Sequence, residues 1–227
     1  MDAHRKGILT SASLLLTSGW CREAASLGRA APELSVGLHA DLGPLRTRHC
    51  DNWRREVRDE LRGQLIRFRE LMGQLPTHLD SHFNVHRDPE LLPLFMELAR
   101  DYDIPLRDYS SVRSYSGFHG QSGGQTNLEQ ISPENLERIL QAAVVPGVTE
   151  LRCHPGYIDL EFVSAYRSER EAELLALCHP RVRATLNKQG IKLISFQQLR
   201  KTRSTRYTCV ANQTSHVSAA AKAVGPL

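Results

Sequence analysis

Gly73-Gln74-Leu75-Pro76-Thr77-His78-Leu79-Asp80-Ser81-His82 closes one periodicity and opens another. Upstream, over 52–72, Val57, Leu61, Leu65, Phe68, Leu71 and Met72 recur at helical spacing and give that segment one apolar face. Gly73 and Pro76 stop the helix. From Thr77 onward the chain alternates: His78, Asp80, His82, Asn84 and His86 share one face of an extended segment, and Leu79, Ser81, Phe83 and Val85 the other. The histidines at spacing four would also suit a helix. Pro76 and Pro89 leave little room for one, however, and Leu79 stands where a zinc-binding H-E-x-x-H helix carries Glu. A strand is expected over 77–82.

The same rhythm extends in both directions. Strands are expected at 7–16, 34–39, 104–107, 148–153 and 191–196, and helices at 21–29, 88–101, 132–143, 166–178 and 180–189. Ser132-Pro133 reads as a cap followed by proline at the first helical position. A loop rich in Ser, Gly and Tyr fills the interval up to about residue 131. Alternating strands and helices imply an α/β fold with a parallel sheet, here an irregular (β/α) barrel-like (TIM-like) domain over 1–200. After Leu199 the composition turns basic and then Ala/Ser-rich, so 201–227 is expected to be a flexible tail.

Composition narrows the class. With 41% hydrophobic and 24% charged residues, the 227-residue chain can bury one sizeable core. Its net charge of +4 is mild, and aromatics are only 6%, so basic patches interleaved with stacking platforms are not indicated and no nucleic-acid partner is expected. No run approaches the ~18 apolar residues of a membrane span. The start, Met1 to Ile8, lacks the apolar centre of a signal peptide. Five cysteines without a C-x-x-C pair argue for reduced thiols. A cytoplasmic location with no membrane partner is the expectation.

Three histidine constellations carry the candidate chemistry. Asp80 beside His82 offers an imidazole and a carboxylate, the natural ligands of zinc-like ions. His39 closes the strand-like run Val36-Gly37-Leu38-His39, at the strand end where α/β folds carry ligands. His154 follows the strand ending at Cys153 and is pinned by Pro155-Gly156, a placement that suits a general acid. Cys153 points to the opposite face of that strand and reads as a buried small side chain rather than a nucleophile.

Taken in order across 3–199, five segments resemble the ChbG/YdjC-like carbohydrate (chito-oligosaccharide) deacetylases: Gly7-Ile8-Leu9-Thr10-Ser11-Ala12-Ser13, Gly37-Leu38-His39, Thr77 to His82 with His86, Ile104-Pro105-Leu106-Arg107, and Cys153-His154-Pro155-Gly156. The resemblance implies a metal-dependent hydrolase of C–N amide bonds, removing N-acetyl groups from amino sugars or acetylated oligosaccharides. It implies a divalent metal, Mg²⁺ by family and Zn²⁺ as the alternative, held by His39 and His82. His154 takes the catalytic position, and Arg107 and His86 the substrate-binding ones. Family members open on a strand ending in Asp-Asp-Phe-Gly, whose acids complete the metal site. Here Met1 to Gly7 matches the helix after that motif, so an N-terminally truncated domain lacking its first strand is expected, with Asp2 no substitute. The competing readings are a catalytically inactive homologue that keeps the fold as a sugar- or partner-binding module, and a different metal hydrolase using the same histidines.

Overall fold

The computed structural model describes residues 1–47, 51–158 and 166–199, together with the backbone of 216–223. A short helix α1 (Asp2–Arg5) precedes strand β1 (Ser11–Leu15), helix α2 (Cys21–Arg29), β2 (Ser35–Ala40), α3 (Trp53–Met72) and β3 (Leu79–Ser81). There follow α4 (Leu92–Asp101), β4 (Arg113–Tyr115), a hairpin of β5 (Gln121–Ser122) and β6 (Gln125–Thr126), and α5 (Pro133–Ala142). β7 (Val148–Cys153), α6 (Ser168–Cys178), α7 (Pro180–Lys188), β8 (Lys192–Leu193) and β9 (His216–Ala223) complete the order.

Helix α3 follows its sequence pattern. Val57, Leu61, Leu65, Phe68 and Met72 are buried against the sheet, each contributing roughly 1.5–3 kcal/mol by leaving water. Gly73 takes a left-handed φ of 73° and its N–H caps Arg69 O, a backbone state in which glycine avoids a steric penalty. Helix α5 begins as expected: the Ser132 hydroxyl accepts from Asn135 N–H, with Pro133 at the first position.

The main sheet is parallel, with strand order β3-β2-β1-β9-β7-β4, and β8 pairs with β9. Every residue of β1 and β2 is buried, as in parallel sheets covered on both faces. The sheet is strongly curved. β3 and β7 stand four strand spacings apart, roughly 19 Å on a flat sheet. Yet Asp80 of β3 and Glu150 of β7 meet on the single guanidinium of Arg107. Among the described residues the hydrogen-bonded ladder does not close, so the barrel-like expectation is met as a curled parallel α/β sheet and not as a closed barrel.

Three expectations need correction. The strand at 104–107 is reduced to one bridge, Leu79 to Leu106, because Pro105 has no N–H to extend the ladder. The supposed loop after it contains β4 and the β5–β6 hairpin. The expected tail over 201–227 carries a strand at His216–Ala223, β9, which lies between β1 and β7. Without it both neighbours would present unpaired backbone groups in mid-sheet. Residues 201–215 and 224–227 of the expected tail lie outside the described residues.

Candidate active site: two imidazole clusters at the strand ends

In a parallel sheet the residues that close successive strands arrive at one end. The register of β2 and β3 sets His39 directly beside Asp80, and His39 Nδ1 bonds Asp80 Oδ1 at 2.8 Å with both side chains buried. Nδ1 thus serves the carboxylate, and the bond fixes the orientation of the His39 ring. One step below, His78 reaches across β2 to Ser13 Oγ at 3.0 Å and stacks on Phe196 at 4.1 Å. Gly37 makes that crossing possible, since a Cβ there would lie 2.5 Å from the imidazole. Burial lowers the His78 pKa to about 3, so this ring is a neutral structural group.

His82 follows β3, and its ring lies edge-on to His39 with centroids 5.5 Å apart and planes at 80°. Two imidazoles on one tetrahedral ion, with metal–nitrogen bonds of ~2.1 Å, have centroids about 5 Å apart. The observed 5.5 Å separation is close to that figure. The strand-like alternation expected through His86 ends at Ser81, and residues 82–87 wind into a tight turn in which Phe83 and Asn84 take φ of 53° and 55°. A left-handed Phe is a costly backbone state of the kind found at functional sites. Its ring packs against His82 at 3.9 Å.

Arg107 and His86, expected to contact substrate, are both buried in this structure. Arg107 is only 2% exposed. It is bonded to Asp80, and its Nε and Nη2 donate to Glu150 at 3.0 and 2.6 Å. Burial would lower its pKa, but the two carboxylates outweigh that and hold the guanidinium charged. His86 is fully buried. Its N–H donates to Ser81 Oγ, its Nδ1 pairs with the same hydroxyl at 2.6 Å, and Nε2 meets Asp108 at 3.2 Å. Both side chains are engaged within the protein. Asp80 is thereby committed to His39 and Arg107, in keeping with an orienting role, and Asp2 lies on α1 bonded to Lys6 and Tyr157.

The second cluster surrounds His154, immediately after β7. Glu173 of α6 is fully buried; its Oε2 accepts from the His154 backbone N–H and its Oε1 from the Tyr166 hydroxyl. His154 Nδ1 lies 3.8 Å from Glu173 Oε1. His119 stacks on Tyr166 at 4.8 Å, 9° from parallel, and meets the His154 ring edge-on at 5.7 Å. Neighbouring Cys153 is buried, and burial raises its thiol pKa well above the ordinary value, so it is no nucleophile.

The motifs on this frame find their match in known proteins: the chain corresponds over residues 1–188 to the family described as YdjC-like protein. It belongs to that family. A carbohydrate deacetylase of Brevibacillus brevis is 29% identical over 88% of this chain and 92% of the relative. A chitooligosaccharide deacetylase of Klebsiella pneumoniae is 31% identical over 88% of this chain and 91% of its own length. The crystal structure of an Enterococcus faecalis protein, described as a cellobiose-phosphate cleavage protein, superposes with a TM-score of 0.71 at 27% identity and covers 87% of this chain and 90% of that one. Among the described residues, no helix is long and apolar enough to cross a membrane.

Sequence reading missed His119, Tyr166 and Glu173. Tyr166 and Glu173 fall within the segment expected to be helical at 166–178, but His119 lies on a distant loop, so no spacing rule joins the three; the one local sign is His119 wedged between Phe118 and Gly120 in a polar loop.

Proposed function

We propose that this YdjC-like chain carries the imidazole part of a carbohydrate deacetylase centre and binds N-acetylated amino sugars or chito-oligosaccharides. The observation that supports it best is the His39–His82 pair, spaced for one cation and backed by Asp80. The donor set fits a divalent cation with affinity for nitrogen, Zn²⁺ before Mg²⁺, because a hard Mg²⁺ ion favours oxygen ligands. Bound there, such a cation would supply Lewis-acid polarisation of the acetyl carbonyl. Asp80 fixes the His39 ring, and Arg107 with Glu150 fixes Asp80. Glu173 anchors the backbone of His154, whose imidazolium would protonate the departing amine. No Asp-Asp pair occurs in these 227 residues, and Asp80 is already engaged, which favours a second reading in which this chain binds the sugar without turning it over.

Acetate release from acetylated chito-oligosaccharides, measured with Zn²⁺ or Mg²⁺, decides between them. The chain as given is expected to turn over far below ~1 per second, and a version extended at its N-terminus by a strand ending in Asp-Asp is expected to gain activity. His39→Ala and His82→Ala should each weaken Zn²⁺ binding in calorimetric titration. Tight Mg²⁺ binding untouched by either change would remove the metal centre from this pair.

A further inference from the structure

We propose that His119, His154 and Glu173 form a second, separate binding site for a zinc-class divalent cation. One ligand atom from each residue lies within 4.8 Å of the other two, and among the described residues this is the group of three or more potential metal ligands that comes together. Tetrahedral zinc, with bonds of 2.0–2.2 Å, needs its ligand atoms about 3.3–3.5 Å apart. The His154 Nδ1 to Glu173 Oε1 distance of 3.8 Å is already close to that. The remaining approach falls to His119, on a loop, through a shift of about 1 Å.

The set of two imidazoles and one carboxylate is that of open, solvent-reached zinc sites, whose fourth position takes water. The His154 side chain is 25% exposed, so solvent reaches the cluster, while Glu173 is buried beneath it. The three ligands are held by the groups that orient metal ligands elsewhere. Gly120 N–H donates to the Tyr166 hydroxyl at 2.7 Å, and that hydroxyl donates to Glu173. Burial and the Glu173 charge raise the Tyr166 pKa, so the phenol stays a donor. The face of the same Tyr166 ring carries His119. Gly120 is itself a point of close approach, where a Cβ would come 2.5 Å from Ile131 Cδ1, so the backbone beside His119 packs directly on the core.

The site goes beyond the deacetylase reading and competes with it. Zinc binds neutral imidazole, whereas His154 as proton donor must be an imidazolium. Zinc here would withdraw His154 from catalysis.

Co²⁺ as a spectroscopic probe and Zn²⁺ titration calorimetry on the full chain test the proposal without reference to activity. The double variant His39→Ala/His82→Ala should keep one Co²⁺ site with the visible absorption of tetrahedral coordination. Adding His119→Ala, or His119→Gln as a milder change on the loop, should weaken that site at least tenfold while the circular dichroism melt stays as in the parent. Glu173→Gln should weaken it as well. If the double variant binds no Co²⁺ or Zn²⁺, or if the remaining site is indifferent to both His119 changes, the proposal is overturned. Failure of His39 and His82 to bind metal would leave it standing and count only against the deacetylase reading.

Discussion

Arg107 shows how one side chain can tie two strands of a site together. Its guanidinium lies between Asp80 and Glu150, all three essentially out of water. Removing one partner of such a buried set leaves charge uncompensated, at a cost of roughly 3–5 kcal/mol. Arg107→Met is therefore expected to lower the unfolding free energy from urea titration by that amount, and Arg107→Lys to recover only part of it, since an ammonium cannot reproduce the forked bonds to Glu150. A variant with near-normal stability and a raised KM would instead return Arg107 to the substrate. Strand alternation drew attention to His39 and His82 in the sequence, one near the end of β2 and the other just after β3, because that pattern is local. Arg107 was legible as a conspicuous residue but not as a buried one, since its two carboxylate partners lie 27 and 43 residues away. His119 and Glu173 were illegible for the same reason: only the fold brings a loop and a helix face to His154.

Among the elements, helices were read well because an apolar stripe at 3.6-residue spacing belongs to the helix itself, as in α3. The short strands β4, β5 and β6 carry no such signal; they are two or three polar residues defined by what they pair with. β9 is the extreme case. Ala219-Ala220-Ala221 has weak strand propensity and reads as coil, but β1 and β7 on either side supply its hydrogen bonds. Ending the chain at Leu199 is expected to abolish cooperative urea unfolding or to produce aggregates through the exposed edges. A peptide spanning 216–223, added in trans, should restore part of the transition. Cooperative unfolding of the shortened chain within about 0.5 kcal/mol of the full one would show that β9 contributes little to the sheet.

For the whole molecule, the neutral His78 couples stability to pH. Its folded pKa of about 3 lies below the ordinary value of 6.5, so between those limits the unfolded chain binds the extra proton. Stability is then fully present above pH 6.5 and falls by ~1.4 kcal/mol per unit on the acid side, levelling off below pH 3. Unfolding free energies from urea titrations should drop about 2 kcal/mol further in the parent than in His78→Gln between pH 7 and pH 5; parallel curves would count against burial as the cause. The position of β9 has a different consequence, one of timing. Ribosomes deliver about 5–20 residues per second, so some 10–40 s separate the emergence of β1 from that of the strand it must pair with. Throughout that interval the nascent chain holds a sheet it cannot finish, exposed to neighbouring nascent chains and dependent on chaperones. A stalled or prematurely terminated message for this protein would therefore yield a sticky product rather than a slightly shorter enzyme.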